Sequence, residues 1–124
     1  MSEVIWCDRG WQPVKWGFCP TKEAWDAEMK RMDYDEDWPL DKAAAMVTQL
    51  EDGAVLLVTC RPEYDEEPTL GLLVHEAVHV WQFMCERMHE DAPGDEIEAY
   101  SIQHIFLELK KAMAKSKEVS HEQA

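Results

Sequence analysis

The chain has 124 residues, of which 26 are Asp or Glu and 12 are Lys or Arg, giving a formal charge of −14 at pH 7. A chain of this length supports one modest core and not two domains, and so acidic a chain has no general grip on nucleic acid, because phosphate binding needs clustered Lys and Arg. No apolar run approaches the roughly eighteen residues that span a bilayer, and the start Met-Ser-Glu lacks the basic and apolar segments of an export signal, so a cytoplasmic protein with no membrane association is expected.

From the N-terminus, Trp6, Trp11 and Trp16 read as anchors that pin an irregular segment to a small core. Val14, Trp16 and Phe18 alternate with other residues as in a half-buried strand. Thr21 is a good N-cap for Ala24, Trp25, Met29 and Met32 at helical spacing, which predicts a helix over 21–32 lying on the sheet. The acidic stretches Asp33 to Asp37 and Glu63 to Glu67 read as solvated surface, with the lining of a cleft for a basic peptide or protein as the competing reading. Asp41 to Leu50, with three alanines and Gly53 as a stop, has some helical character. Met46–Glu51 and the β-branched run Ala54–Cys60, however, flank Asp52-Gly53, a pair favoured in two-residue hairpin turns, and the hairpin is preferred. Cys7, Cys19, Cys60 and Cys85 show no paired spacing and are expected as reduced, mostly buried thiols.

Leu70 to Trp81 reads as a helix buried on most sides, and it carries His75-Glu76-Ala77-Val78-His79, an HExxH motif. Histidines four apart on a helix lie roughly 40° apart around its axis, so both imidazoles can reach one cation, with zinc as the default occupant. Glu76 falls beside the pair, where it can act on a water without becoming a ligand.

A hydrolytic zinc site needs a third protein ligand, and Glu86, His89, Glu90, Asp91, Asp95, Glu96 and Glu98 are the acidic or imidazole groups within reach in sequence. A second amphipathic helix is predicted from Asp95, as N-cap, to about Lys115, after a reversal at Pro93-Gly94. Its apolar stripe is Ile102, Ile105, Phe106, Leu109, Ala112 and Met113, and Glu98 lies at the N-terminal end of that stripe whereas Glu96 points away. Glu98 is therefore the preferred third ligand; the competing reading is a first-turn glutamate favoured by the helix dipole.

HEAVH followed by Glu98-Ala99 resembles the gluzincin arrangement of zinc metallopeptidases, and the strings HEAVHVWQ and EIEAYSIQ look like small zincin-like metallopeptidases of phages and prophages. The resemblance covers about Val55 to Leu109. It implies one Zn2+ per chain held by His75, His79 and Glu98, Glu76 as catalytic general base, and hydrolysis of a peptide or protein substrate by metal-bound water. It also implies that part of the hairpin forms the wall of the substrate cleft. The thermolysin-like pattern has an aspartate where this chain has Ile102, so the outer-shell support of the ligands must come from elsewhere. Gln82 and Gln103 are candidates for outer-shell or substrate contacts, with interhelical polar packing as the alternative. His89 and Tyr64 are the candidates to stabilise an oxyanion, and Tyr100 is read as structural.

The expected architecture is α+β: a small antiparallel sheet packed on the HExxH helix and an antiparallel ligand helix, in one domain over 1–114 with a frayed polar tail over 115–124. The expected function is zinc-dependent peptide-bond hydrolysis. The alternatives are a catalytically weak or inactive zincin-like metal-binding protein acting as a protein-binding module, and an acidic interaction protein with no metal.

Overall fold

A computed structural model describes residues 3–62 and 66–123. Two short strands, β1 (Ile5–Trp6) and β2 (Lys15–Phe18), precede helix α1 (Lys22–Met32). After a 3-10 turn at Pro39–Asp41 come β3 (Ala45–Leu50), β4 (Val55–Cys60), and the long helices α2 (Glu66–Met88) and α3 (Asp95–Gln123). The class is α+β, as expected, but the four strands form a mixed sheet in the order β1-β2-β4-β3, not an antiparallel one. β2 pairs with β4 in parallel, Trp16 opposite Leu56 and Phe18 opposite Val58, while β1–β2 and β3–β4 are antiparallel. The parallel pair follows from the intervening segment: β2 is separated from the hairpin by a helical crossover, the connection that parallel strands need.

β4 is the central apolar strand, and its alternation splits the core in two. Leu56, Val58 and Cys60 join Val14, Trp16 and Phe18 against the buried faces of α2 and α3, while Leu57 packs with Trp25 and Met29 of α1. With both faces covered, a near-continuous apolar run is what such a strand needs; each fully buried Leu or Val contributes about 1.5–3 kcal/mol. α1 starts on the Thr21 cap, whose Oγ1 accepts the Ala24 N–H at 3.1 Å. It ends at Asp33 in the left-handed region (φ 61°), with the Tyr34 N–H returning to Met29 O, a Schellman stop. Gly17 lets β1 lie on β2, since a Cβ there would sit 2.8 Å from Ile5 O and 2.8 Å from the Trp6 ring.

The hairpin forms as predicted, but not through a two-residue turn. Leu50 pairs with Val55, so Glu51 to Ala54 form the loop, with Glu51 (φ 52°), Asp52 (φ 56°) and Gly53 (φ 90°) all left-handed. The tryptophans divide as well. Trp16 is in the core, Trp6 is half-buried under the Lys15 ammonium at 4.0 Å, and Trp11 is 62 % exposed, so it anchors nothing. α3 is capped by Gly94, whose carbonyl accepts the Glu98 N–H at 3.0 Å, and not by Asp95, which already lies in the first turn. It continues to Gln123, past the expected end near Lys115. Its stripe is as read: Ile105, Leu109, Ala112 and Met113 are buried, and Ile102 and Phe106 pack against them. Among the described residues no helix is long and apolar enough to cross a membrane.

Candidate functional site

α2 lies over β3 and β4, and α3 lies over β1 and β2. The buried face of α2 is Leu73, Ala77, Val80, Trp81 and Met84. At about 100° per residue, His75, His79 and Gln82 fall on the opposite side, and His75 and Gln82 are indeed exposed, with His79 half-buried. The helix is thus buried on one face and not on most sides. The apolar neighbours Val74 and Val78, which suggest full burial in sequence, are exposed and half-buried.

The two imidazoles are brought together as the spacing requires. His75 Nε2 and His79 Nε2 are 3.2 Å apart, with ring centroids 4.8 Å apart and ring planes 76° from parallel. Two nitrogens bound to one zinc at about 2.0–2.1 Å and a tetrahedral angle would stand about 3.3 Å apart. On the other side of its ring, His79 Nδ1 lies 2.9 Å from Gln82 Oε1. An amide oxygen only accepts, so Nδ1 carries the proton and Nε2 presents a lone pair toward His75. Gln82 therefore orients His79 in the manner of an outer-shell partner, three residues along the same helix and without the aspartate that thermolysin-like sequences place in the following helix.

Glu76 is 4 % exposed. Burial raises its pKa above the ordinary carboxylate value, and the imidazoles of His79 and His75 pull it back down. It accepts no side-chain hydrogen bond from a described residue, yet its oxygens are not fully enclosed, which leaves the carboxylate open to a water, as suits a group that takes up a proton.

Glu98 has a partner of its own. It is half-buried, and its Oε2 accepts the indole N–H of Trp81 at 3.0 Å. Among the described residues no three His, Cys, Asp or Glu side chains gather closely enough to hold a metal ion. The donor set therefore fits zinc by distance at His75 and His79, with only His79 also oriented, and at Glu98 by chemistry only. Trp81 and Gln82 are consecutive, one holding the carboxylate and the other the imidazole.

The remaining candidates are scattered. His89 terminates α2: it is left-handed (φ 58°), its N–H returns to Glu86 O, and the Glu90 N–H returns to Cys85 O. At 1.5 Å per residue it is roughly 15 Å along the axis from His79, so it does not share the site. Gln103 is exposed on α3, its side chain making no hydrogen bond among the described residues, and Tyr64 lies outside the described residues. Tyr100 is 66 % exposed and not structural. All four cysteines are free thiols; burial pushes Cys7 and Cys19 up to about 12 and raises Cys85, the opposite of nucleophile activation. Comparison with known proteins finds no matching family profile, no matching curated protein and no matching solved structure.

Proposed function

We propose that this chain is a minimal zinc-dependent peptide-bond hydrolase, with His75, His79 and Glu98 as the metal-holding residues and Glu76 as the general base. The reading is carried by the His75–His79 pair, whose Nε2 atoms stand at the separation a shared tetrahedral ion would impose. When bound, zinc supplies Lewis acidity toward water and a substrate carbonyl. Gln82 holds His79 in the one tautomer that offers Nε2 as a ligand. Trp81 orients Glu98 through one carboxylate oxygen and leaves the other free of that bond. Glu76 takes the proton of the attacking water on its carboxylate and returns it to the leaving amine, a task eased by the raised pKa that its burial produces. The acidic surface favours a basic peptide or protein as substrate.

A second reading, a metal-binding protein that docks partners without cleaving them, is favoured by the Trp81–Glu98 bond, since a carboxylate held there is not yet gathered with the histidines. One experiment separates the two. Purified chain is assayed for bound zinc and for hydrolysis of an unstructured basic protein, alongside Glu76→Gln and His79→Ala. The hydrolase reading expects chelator-sensitive cleavage, lost in Glu76→Gln with zinc retained, and both lost in His79→Ala. Zinc without cleavage in the unaltered chain selects the second reading, and cleavage by Glu76→Gln removes the base assignment.

A further inference from the structure

α3 carries a second stripe, on the side away from the core. Ile97, Tyr100, His104, Leu107, Lys111 and Ala114 recur at alternating intervals of three and four residues, the spacing of a coiled-coil seam. Ile97, Tyr100 and Leu107 are 49 %, 66 % and 44 % exposed. Beside the first turns of the helix, Trp11 lines one cleft with Ile97 and Tyr100, on a turn closed by the Gln12 N–H to Arg9 O at 2.9 Å. Four of the six large apolar side chains left exposed by the described residues thus stand on or beside one helix face. Apolar side chains exposed singly need no explanation, but a contiguous patch of them marks an interaction surface.

The charges along the helix select what covers it. α3 begins acidic, with Asp95, Glu96 and Glu98, and turns basic, with Lys110, Lys111, Lys115 and Lys117, four of the twelve basic residues of an otherwise acidic chain. Among the described residues only Lys111 of these lysines is in an ion pair, with Glu108 of the same helix at 3.1 Å, and Glu96 is in none. A face charged oppositely at its two ends is complementary to itself when reversed, which is what a two-fold axis does. With the seam above, an antiparallel pair has as its layers Ile97 with the partner's Ala114, Tyr100 with the partner's Lys111, whose stem and charge lie on the ring, and His104 with the partner's Leu107. The flanking positions then set Glu96 against the partner's Lys117 and Gln103 against the partner's Lys110. A parallel pair would instead stack Lys111 on the partner's Lys111 and set Lys110 beside the partner's Lys115, like charges in both places.

We propose that α3 pairs antiparallel with α3 of a second copy of this chain through this stripe, forming a two-fold dimer. From Asp95 to Lys117 the helix is about 33 Å long, and a strip of about a helix's width along it covers roughly 400 Å² per copy, to which Trp11 adds. That lies at the low end of specific interfaces, so the dimer is weak and forms reversibly with concentration. The pairing is independent of the zinc reading.

The test is sedimentation equilibrium of the full chain in chelator and reductant, which exclude metal-linked and disulfide-linked pairs, at concentrations up to about 1 mM, where even weak pairing is populated. A reversible species of twice the 14.4 kDa chain mass is expected. Leu107→Asp, which puts a charge into the seam at a position outside the core, is expected to weaken the dimer about tenfold or more. Glu96→Lys and Lys117→Glu are each expected to weaken it severalfold, and the two together to restore it, because the double exchange re-forms the same pair with its signs reversed. Circular-dichroism melts of the dilute, monomeric proteins check that each variant is folded. A chain that stays monomeric throughout, a Leu107→Asp dimer as tight as that of the unaltered chain, or a double exchange no tighter than the single ones overturns the proposal.

Discussion

Replacing Gln82 by Leu removes the acceptor 2.9 Å from His79 Nδ1 and nothing else of consequence, because the Gln82 side chain is exposed and serves no other described hydrogen bond. A neutral hydrogen bond contributes about 0.5–1.5 kcal/mol net, which at about 1.4 kcal/mol per tenfold corresponds to a roughly 2- to 12-fold loss of zinc affinity. Outer-shell partners of ligand histidines have effects of about 10- to 100-fold, since they also fix the tautomer. The expected loss is therefore about tenfold, with folding stability unchanged within about 0.5 kcal/mol. Gln82→Glu, which keeps an acceptor and adds charge, should bind zinc at least as tightly as the unaltered chain. Competition titration against a chromophoric chelator gives the affinities, and thermal melts of the metal-free proteins give the stabilities. A leucine variant with unchanged zinc affinity, or one whose affinity falls only together with its stability, refutes the positioning role.

Three further expectations concern the scaffold. Gly17→Ala should destabilise the fold by about 1–3 kcal/mol in denaturant titration, because the new Cβ meets the Ile5 carbonyl, which is backbone and has no room to give. His89→Gly should stabilise it by about 0.5–1 kcal/mol by relieving a left-handed non-glycine residue, with zinc affinity unaltered if His89 is only a helix stop. Stability should fall above pH 9: the Cys19 thiol stays protonated up to about 12 in the fold but ionises from 9.0 when unfolded. The unfolded chain then holds fewer protons, and this residue alone removes about 1.4 kcal/mol per pH unit across that window. A Cys19→Ala variant should show a correspondingly flatter alkaline limb in urea titrations.

What could be read from the sequence was what local spacing controls. The i, i+4 pair His75 and His79, the Thr21 cap, the hairpin strands and the stripe of α3 each depend on neighbours within one or two turns. What could not be read depends on partners far away in the chain. The parallel pairing of β2 with β4 is set by the crossover between them. The outward aspect of His75 is decided by which face of α2 the sheet claims, and the apolar neighbours Val74 and Val78 disguised that choice. Trp81 and Glu98, seventeen positions apart, meet because α3 folds back along α2. Trp11 carries a local signal of its exposure: it follows Gly10 and comes two residues before Pro13, a context that favours a turn.

β4 occupies the middle of the sheet although it is the last strand in the chain. During synthesis the strands before it can make only the two-residue pairing of β1 with β2, and both apolar clusters lack their central members until Cys60 has left the ribosome. The first half of this polypeptide therefore has no central strand to close on until β4 is made, and the larger cluster still waits for residues as far along the chain as Met113, so assembly of that core belongs to the end of synthesis.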